Sequence, residues 1–276
     1  MRVGRFAHEG RISWGFIDDE RAWVPTPAPD LDTLLTASPA DLREARASAR
    51  PVPLEEITLL APIPDPPQFV GVGLNYRDHA EESGQALPSS PLIFAFLPSA
   101  ITGPGAPIEL PAVTRQVDWE AELGIVIGRG GRGIPPSEAM DHVAGYVIIN
   151  DVSARDVQMS ESQWTRAKSF DTFKPMGPWI TTVDELGLAE SLDVRLWVGG
   201  ELKQASNTEE LIFDVPHLVS FMSTAITLRT GAVISSGTPP GVGFARSPAE
   251  YLRPGDEVTI EIEGIGTLTN PVVDGS

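Results

Sequence analysis

No cysteine occurs anywhere in the 276 residues. That excludes disulfides, thiolate catalysis and cysteine-ligated zinc or iron–sulfur centres, and it fits a reducing, cytoplasmic setting. Lysine is nearly as scarce: Lys168, Lys174 and Lys203 are the only ones, and arginine supplies the rest of the 20 basic residues. Those 20 face 38 acids, for a formal net charge of −18. Such a field argues against nucleic acid and anionic membranes as partners and favours attraction of cations. No run of about 18 apolar residues suggests a membrane span, and the opening MRVGRFAHEGRISWG lacks the apolar core of a signal peptide. No G-x-S-x-G elbow is present, which disfavours a serine hydrolase of that kind.

What is present reads as a soluble globular chain long enough to bury a sizeable core, 41% hydrophobic and 21% charged. Glycine and proline number 26 each, so turns and short strands are expected to outnumber long helices. Residues 1 to about 24 alternate as two short strands, and a helix is expected near 31–48. Prolines at 51, 53, 62, 64, 66 and 67 suggest an extended linker. The chain therefore divides into a small β-rich N-terminal domain with linker, 1–64, and a main body, 65–276. Strands are expected near 68–72, 92–96, 117–127, 143–150, 178–183, 192–198, 232–236 and 257–263, with helices at 135–140 and about 214–226. Helices so few and irregular do not suit a doubly wound βαβ protein; a mostly β, α+β fold with a mixed, rolled sheet fits better.

Several short stretches could carry chemistry. In VDWEAELGIVIG, Asp118, Glu120 and Glu122 alternate with apolar residues, which places three carboxylates on one face of a strand. They repel unless they share a proton, lie in water or hold a cation. Asp151 follows the strand HVAGYVIIN, and carboxylates without cysteine suit a hard divalent ion. In GVGLNYRDHAEESG, His79 and Glu82 stand three apart, sharing a face if the segment is helical, as a general base and its orienting acid would. A surface His on an acidic helix start has the same spacing. Gly71 and Gly73 there are too few for a dinucleotide fingerprint. Lys168 lies in the polar loop RAKSFDTFKPMGPW, where scarcity suggests a need for a compact ammonium. SSGTPPGVG, 235–243, is a tight loop able to receive a carboxylate, or simply a Pro-Gly turn. Arg155 and Asp156 read as a local ion pair.

Taken together and in order, VGLNYRDHAEE, PSAITGPGAPI, VDWEAELGIVIG, GYVIINDVSARDVQ, AKSFDTFKPMGPW and SSGTPPGVG resemble the fumarylacetoacetate hydrolase family, bacterial type with a small N-terminal domain, over roughly residues 65–272. The resemblance implies a mixed β-roll catalytic domain, a homodimer, and a divalent cation (Mg²⁺ or Mn²⁺, with Ca²⁺ an option) held by Glu120, Glu122 and Asp151. It places a water-activating dyad on His79 and Glu82 and the site lysine on Lys168. Gln158, Thr172 and Thr238 fall where the family contacts substrate, and Arg77 is positioned to touch a distal carboxylate. The implied activity is C–C hydrolysis of an acylpyruvate or 1,3-diketo acid through a metal-stabilised enolate. An oxaloacetate-type decarboxylase or a 2-hydroxyhepta-2,4-diene-1,7-dioate isomerase is the alternative, and a non-catalytic metal or small-molecule binding protein is the alternative of another class. Phe96 stands where many relatives place a lysine, which shifts the expected pocket towards an apolar tail. Ala106 and the run Thr230-Gly231-Ala232 depart from the family in turns.

Overall fold

Alternation of apolar side chains builds two sheets that share one core. In the computed structural model, which describes residues 1–275, the larger sheet runs in the order Arg50–Pro53, Arg21–Val24, Arg11–Ile17, Arg2–His8, Lys174–Thr182, Val143–Asn150, Ala121–Ile127, Val233–Ser235, Phe69–Gly73 and Leu92–Ala95. Neighbours on this path are antiparallel except Val233–Ser235, which lies parallel to Phe69–Gly73. A second sheet orders Glu201–Asn207, Asp193–Val198, Glu257–Ile262, Gly266–Asp274 and Ile108–Leu110.

Leu123, Ile125 and Ile148 of the larger sheet meet Val194, Leu196 and Ile260 of the smaller one in a single buried cluster. The opposite pleat of the same central strands sends Val126, Val147 and Ile149 to the other face, against Leu34, Leu35 and Leu42. With both faces covered, Ala121–Ile127 is buried at every position, which is why it reads as an apolar run after Glu122. Each such aliphatic side chain contributes about 1.5–3 kcal/mol of transfer free energy. A charged residue in this strand is therefore costly unless something pairs it. The fold is mostly β with a mixed sheet, as the pattern of elements predicts.

The structure corrects several boundaries. The expected strand 117–127 is two: Val117–Asp118 pairs with Ser153–Ala154, and Ala121–Ile127 pairs with Val143–Asn150. Glu120 sits in the break. The expected helix 31–48 is also two, Leu31–Thr36 and Pro39–Ala47, divided at Ser38, whose side chain accepts from Asp41 N while Asp41 caps back. Parts of the expected linker are sheet, Arg50–Pro53 pairing with Arg21–Val24 and Thr58–Leu60 with Arg2–His8, whereas 61–68 is irregular as the prolines suggest. Arg2–His8 itself joins the main sheet through Arg2↔Thr181 and Val3↔Ile180. Strands Glu201–Asn207 and Gly266–Asp274 were not anticipated from pattern. Among the described residues, no helix is long and apolar enough to cross a membrane.

Candidate active site

The break after Asp118 and the end of strand Val143–Asn150 bring the acids together. Asp151 N donates to Glu120 O at 2.9 Å and Glu120 N to Asn150 Oδ1 at 3.1 Å, which fixes the two segments side by side. Glu120, Glu122 and Asp151 are all buried, and one carboxylate oxygen from each lies within 4.8 Å of the others. Asp118, the third alternating acid, turns away: it accepts from the backbone N–H of Trp119, Gly243 and Phe244 at 2.8, 2.7 and 3.0 Å. It staples the 241–244 loop.

Three buried cations surround these four acids. Lys168 Nζ lies 2.8 Å from Glu120 Oε2, 2.7 Å from Asp151 Oδ2 and 2.8 Å from Ser153 Oγ, so each of its protons has an acceptor. Arg155 links Asp118 (Nε, 2.8 Å) to Glu120 (Nη2, 2.6 Å) and donates to Gln158 Oε1 at 3.0 Å. This corrects the expected local pair: Asp156 instead accepts from Thr114 Oγ1 and from the N–H of Arg115 and Val157. Lys174 Nζ approaches Asp151 Oδ1 to 2.8 Å, yet its directed bonds go to the carbonyls of Val152 and Phe173.

Burial opposes ionisation of Glu120, Glu122, Lys168 and Lys174, and the partners decide the sign. For Lys168 the loss of water is outweighed by Asp151 and Glu120, which hold its ammonium above the ordinary value. Glu120 likewise overcomes burial through Lys168 and Arg155 and drops to about 2. Lys174 does not, and burial takes it down to about 8 despite Asp151. Glu122 has no cationic side chain within ion-pair distance among the described residues. Its Oε2 accepts only from Ser235 Oγ and Gly237 N. Burial, then the charges of Asp151 and Glu120, push it well above the usual carboxylate range.

The donor set fits a hard divalent cation. It consists of carboxylate oxygens alone; Asp151 Oδ1 is buried without a directed hydrogen bond; and Glu122 has the charge of its neighbours to offset and no cation to do it.

A cleft of about 680 Å³ opens on Glu120, Glu122, Arg155 and Lys168. Helix Arg77–Glu82 forms part of its rim. There His79 Nδ1 lies 3.0 Å from Glu82 Oε2, and Glu82 Oε1 accepts from Gly241 N at 2.9 Å. His79 and Glu82 thus pair side chain to side chain, and Glu82 is tied to the Pro-Gly loop. Thr238 also lines the cleft, held by Gln204 Nε2 at 2.9 Å and donating to Ala121 O at 3.0 Å. Gln158 lines it too.

Two predicted contacts are not brought there. Thr172 Oγ1 accepts from Glu109 N at 2.8 Å, and exposed Arg77 donates to Glu209 O at 2.8 Å; neither lines the cleft. Phe96 is buried behind it, edge-on to Phe94 and 4.8 Å beneath the Lys174 ammonium. The sequence reading missed Lys174 and the true partners of Arg155. Scarcity of lysine was the one available signal for the former.

Residues 68–273 match the fumarylacetoacetate (FAA) hydrolase C-terminal family, and residues 1–62 match Rv2993c-like, N-terminal. Oxaloacetate tautomerase FAHD2B, mitochondrial, of Bos taurus is 43% identical over 265 residues, covering 94% of this chain and 84% of that protein. Among solved structures, fumarylacetoacetate hydrolase from Exiguobacterium antarcticum superposes with a TM-score of 0.87 at 38% identity over 99% of both chains. The 5-carboxymethyl-2-hydroxymuconate delta-isomerase from Mycobacterium smegmatis gives 0.83 at 39% identity, over all of both chains (100% each). With the carboxylate cluster, the His–Glu rim and the two-sheet frame in hand, this chain belongs to the fumarylacetoacetate hydrolase family.

Proposed function

We propose that the protein is an enzyme of enolate chemistry on a small 2-oxo acid, moving a proton between carbon and oxygen beside the oxo group as a tautomerase or isomerase does. The observation that carries this reading is a single cleft lined by Glu120, Glu122, a buried ammonium and a His–Glu pair, with Asp151 completing the carboxylate cluster behind the two glutamates. The names of the relatives above support it. Mg²⁺ or Mn²⁺ held by Glu120, Glu122 and Asp151 would supply Lewis acidity to the substrate's oxygens. Lys168, its ammonium held by Glu120, Asp151 and Ser153, would stabilise negative charge developing on the oxo oxygen by exchanging one of those acceptors for it. His79, with Nδ1 on Glu82, has Nε2 free to take the proton from the carbon and return it to oxygen. Glu82, anchored by Gly241, holds that tautomer and balances the imidazolium. Gln158 and Thr238 orient the substrate. Arg77 and Thr172 take no part, since their side chains are engaged elsewhere.

Residues 1–64 form, in this reading, a supporting module beside a catalytic unit of 65–276, and the chain assembles as a homodimer. None of the first 64 residues lines the cleft.

The His79–Glu82 pair also favours a second reading, C–C hydrolysis of an acylpyruvate. His79 would then deprotonate a water that adds to the distal carbonyl, and the carbon–carbon bond breaks to leave a pyruvate enolate. Oxaloacetate and acylpyruvates assayed with Mn²⁺, with products identified by mass, separate the two. Proton transfer speeds keto–enol interconversion without a change of mass, whereas hydrolysis adds one water and splits the acid. In either case His79→Ala is expected to lower turnover by about 100-fold or more. Turnover unaffected by that change would refute the assigned role.

A further inference from the structure

Gly71 and Gly73 have ordinary backbone angles, so no turn demands them. What they do is admit aromatic rings. A Cβ on Gly73 would stand 2.8 Å from the Trp164 indole, and one on Gly71 would stand 2.6 Å from the rings of both Phe94 and Phe96. These are closer than packed carbons approach, so the two glycines let the ring edges come up against the strand. Phe94 and Trp164 then meet edge to face at 5.2 Å, and both line the cleft. The wall starts at the charged cluster, where the Lys168 ammonium stands 5.4 Å from the centre of the Phe94 ring.

Beyond it the cleft continues over Leu92, Met159, Val242 and Phe244. Leu92, Met159 and Phe244 are 51%, 71% and 45% exposed, and all three line this one cleft. The only cations lining the cleft among the described residues are Arg155 and Lys168, and both are engaged with cluster carboxylates. A second carboxylate remote from the head would therefore meet mainly apolar carbon, with Ser83 and Gln85 as neutral polar neighbours and no lysine or arginine free to pair with it.

We infer that the outer half of the cleft selects substrates whose tail, remote from the 2-oxo acid head, is uncharged and apolar, with a flat ring the best fit against Trp164 and Phe94. This rests on the 2-oxo acid reading above, and it separates substrates with one carboxylate from those carrying a second at the far end.

Three inert ligands with the same oxalyl head test it: N-methyloxamate, N-phenyloxamate and N-(carboxymethyl)oxamate. Each is titrated calorimetrically into the whole protein with saturating Mn²⁺. The phenyl ligand is expected to bind about tenfold tighter than the methyl one, from added apolar burial and ring–ring contact. The carboxymethyl ligand is expected to bind about tenfold more weakly than the phenyl one or worse. Trp164→Ala should shrink the phenyl-to-methyl ratio to about twofold. Gly73→Ala should shrink it in the same direction by displacing the indole, and Trp164→Ala decides alone if that variant does not fold. Carboxymethyl binding as tight as phenyl, or a ratio unmoved by Trp164→Ala, overturns the tail selectivity and leaves the head reading standing. Failure of all three ligands to bind overturns the 2-oxo acid reading itself, and the tail selectivity with it.

Discussion

Seven buried charged side chains sit within one constellation, four acids and three cations, and each residue is explained by its partners. Asp118 is the instructive one. Its position two residues before Glu120 makes it look like a ligand, but its oxygens are used by three backbone N–H groups and Arg155. Asp118→Asn is accordingly expected to cost stability, about 2–4 kcal/mol, through the weakened Arg155 pair and an amide group facing buried donors. Its affinity for Mn²⁺ should stay within about threefold of wild type, because the donor oxygens come from other residues. Urea denaturation and metal titration on the same sample check both halves. A large loss of Mn²⁺ affinity in a folded Asp118→Asn protein would count against the ligand assignment. At this scale the sequence was informative for Glu120, Glu122, Asp151, His79 and Lys168, whose motifs are local. For Lys174 it offered only the scarcity of lysine, because nothing in a residue's neighbours along the chain reveals burial at the start of a central strand.

At the scale of elements, the cleft is held by ties between segments distant in sequence. Asn75 is one: its amide donates to Phe213 O at 3.1 Å and Ser236 O at 2.8 Å and accepts from Phe213 N at 2.8 Å, all buried. It locks the start of helix Arg77–Glu82 to the loop beyond strand Val233–Ser235. Asn75→Ala leaves those three backbone groups unpaired and is expected to destabilise the fold by about 2–4 kcal/mol. Turnover should fall with it as the dyad loses its seat, and Asn75→Asp, which keeps the acceptor but sets a buried carboxylate against two carbonyl oxygens, should be at least as destabilising. Thermal melts and steady-state kinetics across the pair read this out, and an Asn75→Ala protein as stable as wild type would contradict the tie. Element boundaries were only partly legible. The strand expected over 117–127 hid a break at Trp119 and Glu120, since alternation continues through the bend. The helix expected over 31–48 hid a second start at Ser38-Pro39, although a capping box and a Pro at the first turn announce it. Glu201–Asn207 escaped notice because it lies at the edge of its sheet with largely polar side chains, and Gly266–Asp274 because Pro271 interrupts its pattern.

For the whole molecule, the charge of −18 and the buried cluster act in the same direction, both drawing cations. Folding brings Glu122 beside Glu120 and Asp151 without a cation of its own, and a divalent ion would relieve that repulsion. Mn²⁺ at about 100 times its dissociation constant should stabilise the protein by about 2.7 kcal/mol. The most direct measurement is calorimetric titration of Mn²⁺ into the EDTA-stripped protein and into Glu122→Gln, each with and without oxalate. The account predicts saturable binding at about one ion per chain, tightening when oxalate is present, with affinity at least about tenfold weaker in Glu122→Gln. Absence of saturable binding to the wild-type protein, or equal affinity in Glu122→Gln, would contradict it.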